Sequence, residues 1–290
     1  MVSVIRQKVG NRFYYYLTHH DNTRIKRKYL GKKIPQDIKE QKKAFLMEFY
    51  REGWCPRLEQ IQKRFVQNRK KMPKSVAEQE LKDFAVSFTY HTQKIEGSSL
   101  TRLDTENLLR DGITPSNKPR SDMVEAELAE QVFFEMLNHK RSISLDTIRY
   151  WHTKMFNKTK MDLAGQLRDY DVYVRGSKTK FPTGDEVYLL LQDFLSWYNK
   201  TRSKLNPVEL AAVAHLKFES IHPFGDGNGR IGRLMMNCIL DEGKYPMLNI
   251  EYAQRHRYYR ALEKSNLAND EMPFLQWFIK TYINANKHWL

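Results

Sequence analysis

The sequence predicts a mainly helical bundle carrying a short β-hairpin, preceded by a small basic β-meander. Three observations predict it. Apolar residues recur at helical spacing from residue 75 onward. The first 35 residues instead alternate aromatic and β-branched runs with turn signals. The charge is concentrated at that same end: residues 1–74 hold 20 Lys and Arg against 6 Asp and Glu, and residues 75–290 hold 29 against 28.

The meander reads in order as Val2-Ser-Val-Ile5, a turn at Gly10-Asn11, Arg12-Phe-Tyr-Tyr-Tyr-Leu17, a turn at Asp21-Asn22, and Arg24-Ile-Lys-Arg-Lys-Tyr-Leu30 ended by Gly31. Three such strands need a surface to pack on. Residues 36–74 read as a basic helical linker, which Gly53 and Pro56 are expected to break in two and Pro73 to close. Residues 75–95 follow as a helix with Val76, Leu81, Phe84, Phe88 and Ile95 apolar. Residues 122–138 carry Val124, Leu128, Val132 and Met136 at four-residue spacing. Helices are expected at 144–157 and 186–200. Between them, Val172-Tyr-Val174, Gly176 and Lys180-Phe-Pro-Thr-Gly184 read as the hairpin. Asn206-Pro207-Val208-Glu209 is a helix start that should run to about Ile221. Further helices are expected at 229–241, 254–266 and 272–286. The domains are thus 1–35, 36–74 and 75–290.

Composition narrows the class. Of the 290 residues 41% are hydrophobic and 12% aromatic, enough for a core and against disorder. The net charge is +15 and the mean hydropathy −0.69. No run approaches the ~18 apolar residues a membrane span needs. The first 20 residues hold Arg6, Lys8 and Arg12 and no apolar core of a secretory signal. Two cysteines, Cys55 and Cys238, make no disulfide framework. A soluble protein of the cytoplasm, without membrane contact, is expected. The basic block at residues 1–74 suits nucleic acid or another acidic partner; a solvated face that keeps the chain soluble explains it as well.

One stretch carries chemistry: His222-Pro223-Phe224-Gly225-Asp226-Gly227-Asn228-Gly229-Arg230-Ile231-Gly232-Arg233. A helix ends before it and another begins within it. Glycines admit an anion close to the backbone, and a helix N-terminus presents free N–H groups with the positive dipole end behind them. Arg230 and Arg233 share a helix face. Asp226 is a hard oxygen ligand suited to Mg²⁺. His222 titrates near neutrality and can take a proton. The parts fit nucleotidyl or phosphoryl transfer. Gly227-x-Gly229-x-x-Gly232 is not a dinucleotide fingerprint, because no strand precedes it. His215 and His222 lie seven residues apart, about 10.5 Å along a helix, too far for one zinc ion. His215 reads as a hydrogen-bonded core histidine.

At these residues the chain resembles the Fic family, whose signature HPFx(D/N)GNGRxxR is matched at every specified position. Ala164-Gly-Gln-Leu-Arg168 resembles the family's G-x-x-R segment, and the 172–184 hairpin sits where the family places its flap. The resemblance covers about residues 75–290. It implies a Fic-type helical bundle that transfers AMP from ATP, as co-substrate, to a Ser, Thr or Tyr hydroxyl of a target protein. His222 would be the base and Asp226 the Mg²⁺ ligand. Gly227, Asn228 and Gly229 would form the anion hole, and Arg230 and Arg233 would hold the β- and γ-phosphates. Tyr259 and Asn266 match adenine contacts. Gly176, Ser177, Lys178 and Thr179 would dock the target by strand-like pairing. Thr92-Gln-Lys-Ile-Glu96-Gly97 resembles the family's inhibitory motif, with Thr92 and Glu96 on one helix face and Glu96 pairing with Arg233. Family precedent is compatible with a homodimer. Removal of AMP, transfer of another phosphate-containing group, and a nucleic-acid-bound regulator are the alternatives.

Overall fold

The computed structural model describes every residue except 1, 22–23, 140–141, 174–175 and 177, and the side chain of 139. The chain divides into two compact units, Met1–Gln60 and Ile61–Leu290.

The first unit is built on three antiparallel strands, β1 (Ser3–Val9), β2 (Arg12–His20) and β3 (Ile25–Gly31), in the order β1-β2-β3. Gly10, at φ 60°, turns β1 into β2 through a two-residue connection that demands positive φ. Asp21 closes the next turn: its Oδ1 accepts from the Arg24 N–H at 3.0 Å. In register Leu17 opposes Val4 and Lys28, and Tyr16 opposes Ile5 and Tyr29, with a bulge between Tyr15 and Tyr16. The inner face buries Leu17 with Val2 and Phe45, joined by Val4, Leu30, Ile38 and Leu46. The last two of these, with Phe45, show what the meander leans on: the first half of helix α1 (Ile38–Lys71). Burying each such side chain contributes ~1.5–3 kcal/mol.

Helix α1 corrects one expectation. Gly53 and Pro56 do not break it; Pro56 lies inside a continuous 34-residue helix. A proline there costs about 3 kcal/mol. Phe45, Phe49, Trp54 and Leu58 are all buried at spacings of four and five, so one apolar face continues straight through the proline. Packing overrides the local preference.

The second unit is helical: α2 (Lys74–Ile95), α3 (Arg102–Asp111), α4 (Arg120–His139), α5 (Leu145–Phe156), α6 (Val187–Thr201), α7 (Pro207–Ile221), α8 (Asn228–Glu242), α9 (Arg255–Ala268) and α10 (Met272–Ala285). At its centre, α7 and α8 pack against each other. Twelve of the 15 residues of α7 and 13 of the 15 of α8 are buried, as befits helices surrounded on all sides. The Asn206 side chain caps α7 through the Val208 N–H at 2.9 Å, with Pro207 at its first position. Val76, expected on the apolar face of α2, is instead exposed in its first turn. Helix α3 was not expected from the sequence at all.

The 172–184 flap differs from the expected hairpin. Val174, Arg175 and Ser177 lie outside the described residues. The described remainder turns at Gly176, φ 82°, and has no strand ladder. Its backbone is satisfied by side chains instead: Lys178 N–H donates to Glu263 Oε1 at 2.8 Å and Gly184 N–H to Asp171 Oδ1 at 3.2 Å. An isolated two-stranded ribbon is marginal without a third strand.

Candidate active site

The site is the loop between α7 and α8, and the sequence shapes that loop closely. His222 ends α7 in the left-handed region, φ 52°, with its N–H donating to Phe218 O at 3.0 Å. Asn228, 1% exposed, closes the loop on itself. Its Oδ1 accepts from Phe224 N–H at 2.9 Å and its Nδ2 donates to Phe224 O at 2.8 Å. The Phe224 ring is buried and stacks on His152 at 3.8 Å. His152 Nδ1 accepts from Gly165 N–H at 2.8 Å, so its other nitrogen donates to Asp226 O at 2.9 Å. Burial lowers the His152 pKa to about 4, which keeps that neutral tautomer at pH 7. Arg168 clamps the loop from outside. Its guanidinium donates to His222 O at 2.7 Å, Ile221 O at 3.2 Å, Tyr170 O at 2.8 Å and Pro182 O at 2.8 Å.

Chemistry-bearing side chains hang on this frame. His222 lines a cavity of about 830 Å³ together with Glu96, Asp226, Gly229, Tyr259 and Asn266. Burial lowers its pKa to about 4, so the ring is neutral and able to accept a proton. Behind it, Glu219 Oε2 lies 3.9 Å from His222 Nδ1. Burial pushes the Glu219 carboxyl up to about 8, so it is protonated at pH 7.

Asp226 Oδ1 accepts from Gly227 N–H at 2.6 Å and from Arg230 at 3.2 Å, and Lys160 Nζ stands 3.4 Å from Oδ2. Burial opposes its ionisation, yet Arg230 and Lys160 hold the pKa below the usual range. Its side chain is 42% exposed, open to a cation. Among the described residues no group of three or more His, Cys, Asp or Glu is gathered to hold a metal by itself. One open carboxylate suits Mg²⁺, which is usually held by one or two carboxylates and substrate phosphates.

The two arginines part company. Arg233, 1% exposed, points to the end of α2. It donates to Thr92 Oγ1 at 2.8 Å, Thr92 O at 3.0 Å and Glu96 Oε1 at 2.6 Å. Burial alone would lower its pKa; the Glu96 carboxylate more than reverses this. The same Glu96 oxygen covers the start of α8: a Cβ on Gly229 would stand 2.2 Å from it. Arg230, 4% exposed, turns away to Glu125, Gln93 Oε1 at 3.2 Å and Asp226, with its guanidinium 4.4 Å from the Phe156 ring. It does not line the His222 cavity. It lines a neighbouring polar chamber of about 390 Å³ with Glu125, Lys160, Asp226 and Glu96.

Of the other expected site residues, Tyr259 donates to Ile95 O at 3.2 Å, and Asn266 Oδ1 accepts from Ser220 Oγ at 2.6 Å. Gly176 and Thr179 line the His222 cavity, and Lys178 is tied to Glu263; Ser177 is outside the described residues. His215 is a core histidine, fully buried, with Nε2 2.8 Å from the Tyr258 hydroxyl. Glu125, Lys160, Gln93 and Glu219 were not expected here. Only Glu219 had a signal, three residues before His222 on α7 and so on the same face.

Residues 142–240 match the model of the Fic/DOC family. Over 192 residues the chain is 34% identical to the protein adenylyltransferase Fic of Drosophila ananassae, covering 65% of this chain and 38% of that one. It is 35% identical to the protein of the same name from Drosophila grimshawi over 65% of this chain and 39% of that one. The chain thus spans about two fifths of the length of the curated relatives it matches. In fold it is similar to residues 134–508 of Fic-1 from C. elegans, with TM-score 0.72 and 24% identity over 87% of this chain and 75% of that one. A Fic-domain-containing signaling protein from Bacteroides thetaiotaomicron gives TM-score 0.72 and 24% identity over 80% of this chain and 95% of that one. The signature loop lies within the residues that match the Fic/DOC family model: the chain carries a Fic domain.

Proposed function

We propose that the chain transfers AMP from ATP to a hydroxyl of a target protein and that Glu96 holds this activity down. The observation that carries the proposal is the Glu96–Arg233 pair, 2.6 Å long, whose Glu96 lies against Gly229 at the start of α8 and lines the same cavity as His222. That helix end is an anion site by construction, with free N–H groups, the positive dipole end and a buried guanidinium. Here a carboxylate of the chain itself fills it.

In the reaction, the target hydroxyl oxygen bonds to the α-phosphorus. The bond from that phosphorus to the bridging oxygen breaks, and pyrophosphate leaves with the electron pair. The hydroxyl proton passes to His222, neutral through burial. Arg233 and the start of α8 would hold the terminal phosphates where Glu96 now lies. Arg230 is engaged with Glu125 and Asp226 and acts by orienting Asp226. Asp226 would hold Mg²⁺, which supplies charge neutralisation for the phosphates. Tyr259, Asn266 and the flap would complete the cavity around nucleotide and target. Positioning and electrostatics dominate such a site.

The test uses α-labelled ATP with Mg²⁺ and γ-labelled ATP as control. Glu96→Gly should take up α-label at least about tenfold more than wild type, the equivalent of ~1.4 kcal/mol released at the phosphate site. His222→Ala should take up none while still binding ATP. Equal α-labelling of wild type and Glu96→Gly removes the inhibitory role, and γ-label alone makes the reaction a phosphate transfer. The reverse reading, hydrolysis of a target-bound AMP with Glu96 orienting water, draws support from Glu96 and His222 sharing one cavity. It requires that Glu96→Gly lose that hydrolysis.

A further inference from the structure

We propose that the outer face of the β1–β2–β3 sheet binds double-stranded DNA, a function separate from the site between α7 and α8. Strand side chains alternate between faces. Leu17 and His19 are buried, so Arg12, Tyr14, Tyr16, Thr18 and His20 stand on the other side of β2. The register aligns Ile5, Tyr16 and Tyr29 in one row across the sheet, Ser3, Thr18 and Arg27 in the next, and Gln7 beside Tyr14. α1 packs on the inner face only.

Four features of this face fit a duplex. First, it is cationic without relief. Of the six Lys and Arg on the three strands, Arg12 and Arg27 stand on this face, Arg6, Lys8, Lys26 and Lys28 share the inner side with Leu17, and the strands hold no Asp or Glu. Glu48 and Glu52 of α1 are spent on the inner side, pairing with Lys26 and Arg24. Arg12 and Arg27 have no carboxylate partner among the described residues. Second, duplex DNA presents a negative charge every ~1.7 Å, the repetitive acidic surface such a block suits. Third, Arg12 and the row of Arg27 lie six residues apart along β2, about 20 Å. They would reach phosphates on both sides of a major groove about 12 Å wide, which admits a β-ribbon. Gln7 and the tyrosine hydroxyls stand between them. Fourth, the tyrosine rings are turned on one another. Tyr29 lies 5.3 Å from Tyr16 and 6.1 Å from Tyr14, tilted by 53° and 49°. A platform for unpaired bases needs open ring faces. These rings are tilted against one another instead of lying flat in a row, and their hydroxyls are free: none of the three has a hydrogen-bond partner among the described residues.

The experiment is fluorescence anisotropy of a labelled duplex of about 20 base pairs and arbitrary sequence, titrated with the full chain from 50 to 200 mM salt. Affinity should fall by about one decade over that range if Arg12 and Arg27 each neutralise one phosphate. Arg12→Ala and Arg27→Ala should each weaken binding about tenfold and lower the salt slope by about one. Tyr29→Phe should weaken it at an unchanged slope. Lys43→Ala, on α1 behind the sheet, should leave it nearly unchanged. Circular dichroism and α-label transfer in the Glu96→Gly background check that each variant is folded. Absence of duplex binding at 50 mM salt overturns the proposal. So does tighter binding of a single strand of equal length, or a loss with Lys43→Ala equal to that with Arg27→Ala.

Discussion

Arg233 is 1% exposed and is held by Thr92, Glu96 and, at the edge of hydrogen-bonding range, Tyr258. Arg27, on the outer sheet face, is exposed and meets no carboxylate among the described residues. The two regions treat the same side chain oppositely. A buried guanidinium must be paired, since breaking such a pair costs about 3–5 kcal/mol. Its partner is therefore specific, and exchanging that partner for a phosphate is a discrete event that salt barely screens. An exposed, unpaired guanidinium costs little to leave alone. It attracts any polyanion, weakly per contact, and salt erases the attraction. Under the two proposals, burial would separate a switch from a magnet within one chain.

The largest effects are expected at the buried pair. In the Glu96→Gly background, His222→Ala should reduce AMP transfer by about 10²–10⁴-fold, the usual contribution of a general base, with ATP affinity unchanged by calorimetry. A loss of affinity equal to the loss of rate would make His222 a binding residue. Gly229→Ala comes next. Its Cβ would meet Glu96 Oε1 at 2.2 Å and Arg233 Nη1 at 2.8 Å. It should dislodge Glu96 without restoring transfer, unlike Glu96→Gly, because the methyl group also fills the phosphate position. Labelling as high as that of Glu96→Gly would show the phosphates seated elsewhere.

Smaller effects sharpen the contrast. Arg168→Lys keeps the charge and loses the fork that reaches four carbonyls. A cost of about 2 kcal/mol is expected, lowering the melting temperature by ~4–8 °C. An unchanged melting temperature would mean the loop holds itself. The pH profile of stability should be domed. His152 and His215 have pKa values lowered by burial to about 4 and about 3, from 6.5. Their share of stability is present above pH 6.5 and is lost as pH falls toward those values. Glu219 is raised to about 8 from 4.5, so its share is present below pH 4.5 and is lost as pH rises through 8. The melting temperature should peak near roughly pH 6.5, and Glu219→Gln should flatten only the alkaline limb. A slope there that survives the substitution would assign it to another group.

Much of the site was legible because its residues are contiguous. A helix stop, a glycine loop and a helix start fall within 12 residues, and local rules govern each. Thr92 and Glu96 were readable because four residues make one turn. Glu125 and Lys160 were not. They meet Arg230 and Asp226 from α4 and from the turn after α5, across 105 and 66 residues of chain, and no local pattern marks such a meeting. The missed helix α3 did carry its signals. Thr101 and Asp104 form a reciprocal capping box, and Gly112 ends the helix at φ 66°. The apolar stripe was too thin to draw attention, with only Thr105 and Leu108 buried. The continuity of α1 through Pro56 was illegible for the opposite reason: the packing along its apolar face involves residues far back in the chain, such as His19 and Arg24 against Phe49.

Gly229 ties two properties to a single atom. The missing methyl is the room in which a carboxylate now lies and in which a phosphate would lie. Under the proposed function, restraint and activity would draw on the same few cubic ångströms, and no side chain at this position could relax one while sparing the other. A lineage that needed a freer enzyme would have to change position 96, leaving 229 alone. The two positions are then expected to show unequal histories: glycine at 229 wherever nucleotide is used, and freedom at 96 wherever restraint has been given up.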